Sequence, residues 1–171
     1  MRPQPLIACT DVEASSRWYQ QLLGARSEHG GPHYERLVVN GQLILQLHHF
    51  DVTHHHPPVG DRHLRPYGNG VLLWFEVDHF DGALARAEAL RAETLMPKHR
   101  NPPSGSGGPN HWEVWLRDPD GYMVDDSPSD QARSGSKRGF RAPAAMAGEL
   151  RDGDADCRLE GRERLKAMCR H

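Results

Sequence analysis

The chain has 171 residues, a formal net charge of −2 and a hydrophobic fraction of 37%, below the roughly 45–50% (glycine included) usual for globular domains. That length suits one domain, or one domain plus a tail, and near-neutral charge without a long basic run argues against nucleic acid, whose phosphates demand clustered Lys and Arg. No apolar run approaches the roughly 20 residues that span a bilayer, and no membrane partner is expected.

Met1 to Thr10 holds one Arg and a short apolar stretch, not a secretory h-region. Pro5 to Cys9 reads as a strand. Cys9, Cys157 and Cys169 make neither a CxxC pair nor a zinc-finger spacing, so Cys9 reads as a small buried strand residue and a reducing cytoplasm is expected. Thr10-Asp11-Val12-Glu13 forms a capping box, with the Thr10 hydroxyl as N-cap and Glu13 three residues on. Val12, Trp18, Tyr19, Leu22 and Leu23 fall on one helical face, and Gly24 is placed to end the helix. His33 to Val39 and Gln42 to His48 flank Asn40-Gly41, a two-residue hairpin signal.

The loop from Phe50 to Asn69 carries His54-His55-His56 and three prolines. It reads as exposed, although adjacent histidines can capture nickel or zinc adventitiously. Val71 to Val77 is the next strand. Asp78 can cap a second helix with Phe80, Ala83, Leu84, Ala87 and Leu90 at helical spacing. Asn101 to Asn110 is rich in Pro, Gly and Ser and is expected to be mobile. His111 to Arg117, the turn Asp118-Pro119-Asp120-Gly121 and Tyr122 to Asp125 follow. From about Asp130 the composition shifts to Ser, Gly, Ala, Arg and Asp. Residues 130–154 are expected to be disordered, with a short helix at 156–169.

A strand–helix–strands pattern thus occurs twice, and His33-Tyr34-Glu35 and His111-Trp112-Glu113 stand at matching places before a reversal. This predicts an internal duplication in which the two tripeptides superpose.

Three stretches carry a family resemblance. They are the strand into Asp11-Val12-Glu13-Ala14-Ser15 with Trp18-Tyr19 and Leu22-Leu23-Gly24, the run Phe75-Glu76-Val77-Asp78, and Arg117-Asp118-Pro119-Asp120-Gly121-Tyr122. From about Pro3 to Pro128 the chain resembles the vicinal oxygen chelate superfamily, which includes glyoxalase I, bleomycin-resistance proteins, fosfomycin-resistance enzymes and extradiol dioxygenases. The resemblance implies an α+β domain over residues 1–129. Two tandem βαβββ modules, about 3–50 and 70–128, would curl a mixed sheet around a cleft, often completed in a homodimer.

It also implies where the chemistry would lie. The family's metal positions fall on Gln4, Gln46, Leu72 and Asp125. Leu72 cannot coordinate and both glutamines are neutral, so the family site is expected not to be intact. Side chains two apart on a strand share a face, which adds His48 to Gln46, Trp74 and Glu76 to Leu72, and Met123 and Ser127 to Asp125. The ligand-facing positions of the preceding strand correspond to His111, Glu113 and Trp115.

Two readings follow. In the first, the cleft holds a small organic ligand against His48, Trp74, Trp115 and Met123, with no cofactor. In the second, Glu113, Glu76 and His111 are catalytic in a lyase, isomerase or dioxygenase that binds a divalent metal (Zn, Ni, Fe or Mn) through shifted ligands. The first is preferred because Leu72 interrupts the ligand set.

Overall fold

The computed structural model describes residues 2–53, 56–103 and 110–129. The chain divides into two units, Met1–Gly139 and Phe140–His171, and every described residue lies in the first. The expectations for residues 130–171, for His54 and His55, and for residues 104–109 lie outside the described residues.

The first module begins with β1 (Leu6–Cys9) and α1 (Val12–Leu23). The N-cap of α1 is Asp11, not Thr10. Asp11 is extended (φ −140°, ψ 97°) and its carboxylate accepts the Ala14 N–H at 2.9 Å. Both residues have capping chemistry, but Thr10 has a tertiary partner: its N–H and its hydroxyl both donate to Asp120 Oδ1. The helix buries Val12, Ser15, Ser16, Tyr19 and Leu22 and stops at Gly24, whose φ of 67° suits a residue without a Cβ.

The strands β2 (Arg26–Ser27), β3 (Tyr34–Val39) and β4 (Gln42–His49) complete a sheet of order β1-β4-β3-β2. Asn40 and Gly41 both have positive φ, as the predicted tight hairpin requires. Only β1 and β4 run parallel in this sheet.

The second module repeats this plan with β5 (Leu72–Val77), α2 (Phe80–Ala89), β6 (Glu93–Asn101), β7 (His111–Arg117) and β8 (Met123–Pro128), in the order β5-β8-β7-β6. Here too the first and last strands are the parallel pair. The helix starts one residue later than expected. His79, not Asp78, is at the N-cap and makes no side-chain cap, while Phe80 enters the core. The βαβββ plan calls for a strand between the second helix and His111, which sequence patterning did not locate; it is Glu93–Asn101. It contains Pro97, which lacks an N–H and is tolerated because β6 is an edge strand, with its register broken on both sides of Met96.

The duplicated topology is present, but the two tripeptides are out of register. Gln46 lies opposite Arg36, and Asp125 opposite Trp115. Counting back two residues, Tyr34 holds the place of Glu113, and Glu35 that of Val114. A one-residue slip exchanges the faces of a strand. Glu35 accordingly lies under α1, where it accepts the Ser16 hydroxyl at 2.9 Å.

The modules share one core and are joined by buried polar contacts. Tyr19 Oη donates to Asp118 Oδ2 at 2.8 Å, Ser15 Oγ to Asp120 Oδ2 at 3.0 Å, and Tyr122 Oη to the Ala8 carbonyl at 3.0 Å. The remaining Asp118 oxygen accepts the N–H groups of Asp120, Gly121 and Tyr122. The turn Asp118-Pro119-Asp120-Gly121 is therefore the fastening between modules.

Candidate functional site

Chemistry concentrates on one face of the second sheet. Trp74, Asp125 and Trp115 stand abreast on β5, β8 and β7, with Met96 of β6 beyond Trp115. One step along, Glu76 pairs with Ser127 and His99 with Glu113. Strand alternation therefore places Trp74, His111, Glu113, Trp115, Asp125 and Ser127 together, as expected from sequence.

Glu113 is the hub. It is 1% exposed, and its polar contacts come from its own sheet. Asn101 Nδ2 reaches its two oxygens at 3.0 and 3.1 Å, Trp115 Nε1 donates at 3.0 Å, and His99 and His111 approach through Nε2 at 3.0 and 3.1 Å. Burial would raise this carboxyl. The bonds from Asn101, Trp115 and His111 and the field of His99 outweigh it and hold the group below the usual range.

Asp125 is the opposite case. Burial first, then the charges of Glu113 and Asp126, push it up to about 7. Two neighbouring carboxyls thus differ in charge state near neutrality, one ionised and one close to half protonated. His111 Nδ1 is buried and has no hydrogen-bond partner, whereas the Asp125 carboxyl in its protonated form donates to Glu113, a bond that adds to its rise. Trp74 stands beside them. Its Nε1 donates to Ser127 Oγ at 2.7 Å, its ring lies 5.4 Å from that of His111, and it is 53% exposed.

The other expected residues lie apart from this group. Glu76 is exposed at the end of β5 and borders an 850 Å³ depression with Leu23, Ile44, Phe75 and Arg86. Among the described residues no hydrogen bond joins it to Glu113. Met123 is half-buried opposite Leu72. His48 is on the first sheet, where it meets Tyr34 and His56.

The positions that the resemblance assigns to metal do not suit one. The Gln46 amide is engaged at both ends, accepting from the Tyr34 hydroxyl and donating to the Gln4 carbonyl at 3.2 Å. Leu72 offers no donor atom. Asp125 is held toward its neutral form, and a cation wants the ionised carboxylate. Among the described residues no group of three or more His, Cys, Asp or Glu is placed to hold a metal ion.

Sequence reasoning missed His99 and Asn101, because the strand that carries them was not located along the chain. It also missed His56 as a partner of His48, and Tyr34 as the cleft-face residue of β3. The alternation of β3 against Gln46 could have identified Tyr34. Nothing local marks His99 or Asn101.

A family model described as the Glyoxalase/Bleomycin resistance protein/Dioxygenase superfamily matches residues 3–125. No curated protein matches the chain. Among solved structures, TioX from Micromonospora sp. ML1 is similar at 15% identity and TM-score 0.55, covering 74% of this chain and 98% of its own. Lactoylglutathione lyase from Agrobacterium tumefaciens is similar at 18% identity and TM-score 0.55, with 75% and 93% covered. The fosfomycin resistance protein FosX from Mesorhizobium loti is similar at 13% identity and TM-score 0.52, with 78% and 96% covered. At these identities the likeness is one of fold.

Proposed function

We propose, for a chain that belongs to the Glyoxalase/Bleomycin resistance protein/Dioxygenase superfamily, that it binds a small planar organic molecule on the open face of its second sheet, without the family's metal site. One observation carries this reading. A half-exposed indole, Trp74, is fixed in place beside a buried polar atom that has no partner, His111 Nδ1. Buried polar groups are nearly always paired, and exceptions call for an explanation. A flat ligand stacked on Trp74 gains aromatic contact, and its polar edge offers a partner to His111.

Glu113 serves this site as a positioning residue. Its lone pairs are occupied by Asn101, His99, His111 and Trp115, so it holds those side chains in place rather than chelating or abstracting a proton. A chelating enzyme with shifted ligands would need Glu113 free, and for that reason we do not favour it.

The opposite wall of the cup is, in this reading, the first sheet of a second copy. What supports it is that the polar contacts of Gln46 stay within the first module and those of Trp74 and Glu113 within the second. The test is a titration of the tag-free, chelator-treated full chain with planar heteroaromatic compounds, bleomycin included, followed by tryptophan fluorescence. Binding should persist without metal, and Trp74→Ala should weaken it at least tenfold. Equal affinity in Trp74→Ala would refute the site.

A further inference from the structure

His48 and His56 aim their Nε2 atoms at each other across 3.1 Å. The remaining contact of each ring decides what that means. His48 Nδ1 lies 2.9 Å from the His49 carbonyl, and His56 Nδ1 lies 2.7 Å from the Pro57 carbonyl. A carbonyl oxygen can only accept, so each Nδ1 must carry the hydrogen. In neutral imidazoles that leaves both Nε2 atoms as bare acceptors. Two lone pairs do not face each other at hydrogen-bond distance unless a proton or a cation lies between them. Among the described residues neither ring hydrogen-bonds a carboxylate, the usual partner that would hold an imidazolium.

A metal accounts for the geometry directly. Imidazole binds zinc at about 2.0–2.1 Å through one ring nitrogen, while the other typically donates to a carbonyl or carboxylate that fixes the tautomer. Two such legs spanning the 3.1 Å separation meet at about 98°, between the octahedral and tetrahedral angles. His48 is 7% exposed and anchored on β4, whereas His56 sits on the exposed segment that joins the modules. We propose that His48 and His56 form a two-imidazole site for a divalent transition metal such as zinc, nickel or cobalt. The remaining positions of the ion are open to water or to an oxygenated or nitrogenous ligand. The bound ion also ties the intermodule segment to β4.

This site lies on the first sheet and does not depend on the organic ligand proposed for the second. Its test uses metal alone. Tag-free full-length protein is titrated with zinc, nickel or cobalt by calorimetry, and ring nitrogens are followed by long-range ¹H–¹⁵N spectra. One ion per chain should bind at micromolar level. His48→Ala and His56→Ala should each weaken binding at least tenfold, and a His33→Ala/His49→Ala control should stay within about twofold. In the unmodified protein the metal should move the Nε2 resonances of His48 and His56, a readout that does not rely on a variant folding. The proposal is overturned if binding survives either single substitution. It is equally overturned if binding is lost only when His54 and His55 are replaced, or if the metal leaves both Nε2 signals in place while a shared proton is seen between the rings.

Discussion

Three buried carboxyls show how environment sets charge in this fold. At Glu35 burial acts to raise the pKa, but hydrogen bonds from Ser27 and from the backbone of Gly30, Arg36 and His29 win and bring it to about 2. Its contribution to stability is therefore present above its ordinary value near 4.5 and is lost as pH falls toward about 2. Asp126 has no hydrogen-bond partner, and burial, opposed by Arg86, lifts it to about 7. The sign is then reversed: its cost is absent below about 3.8, grows as pH rises, and is complete above about 7. Asp125 behaves in the same way. The protein should melt at a higher temperature near about pH 5 than near about pH 8. Asp126→Asn should raise the melting temperature at the higher pH and do much less at the lower one. Calorimetric scans of both proteins at both pH values check this, and an equal effect at both would refute it.

Glu113 offers a second residue-level expectation. Its charge follows burial among the causes that raise Asp125. Glu113→Gln should lower the Asp125 pKa from about 7 toward the ordinary range, as read by carboxyl ¹³C titration. It should also destabilise the fold by about 2 kcal/mol, because the donors clamped on a charged carboxylate lose it. A titration unchanged in the variant would separate the two carboxyls.

At the level of elements, the turn between β7 and β8 acts beyond its own hairpin. Asp120 accepts from Thr10 N, Thr10 Oγ1 and Ser15 Oγ, more than a hundred residues away in sequence. Asp120→Ala should cost about 3 kcal/mol and leave buried donors unpaired, whereas Ser15→Ala should cost about 1 kcal/mol. Because the two residues share one bond, a double-mutant cycle in urea should return a coupling energy clearly above zero. Additive losses would mean the contact carries no stability.

That contact also shows what sequence could and could not convey. The strand β7, the hairpin at Asn40-Gly41 and the faces of both helices were legible because their signals are local: alternation, a turn pair, a 3.6-residue period. The true cap of α1 was not, because the choice between Thr10 and Asp11 is made by Asp120 from the other module. The edge strand β6 was hidden by Pro97 and by a run of polar residues that lacks clean alternation. With it went His99 and Asn101, half of the clamp on Glu113. The paired tripeptides misled for a related reason, since identical residues one step out of register lie on opposite faces.

At the scale of the whole molecule, the two modules meet through β1, α1 and the β7–β8 turn with Tyr122. β1 and β5 remain edge strands carrying half-exposed apolar side chains, Leu6 on β1 and Val71 and Trp74 on or beside β5. If a second copy supplies the facing wall, sedimentation of the full chain should give a dimer at micromolar concentration. A monomer under those conditions would remove the proposed wall while leaving the face around Trp74 intact.

The claim at the centre of this account is that the second-sheet face binds a planar ligand without a metal. It is tested most directly by the indole ¹H–¹⁵N spectrum of chelator-treated protein during titration with a planar heteroaromatic ligand. The four tryptophans, 18, 74, 112 and 115, report separately. The account predicts that the Trp74 and Trp115 signals move together and saturate while Trp18, packed against Tyr19, stays in place. Binding that appears only after metal is restored, or that leaves Trp74 unmoved, would contradict it.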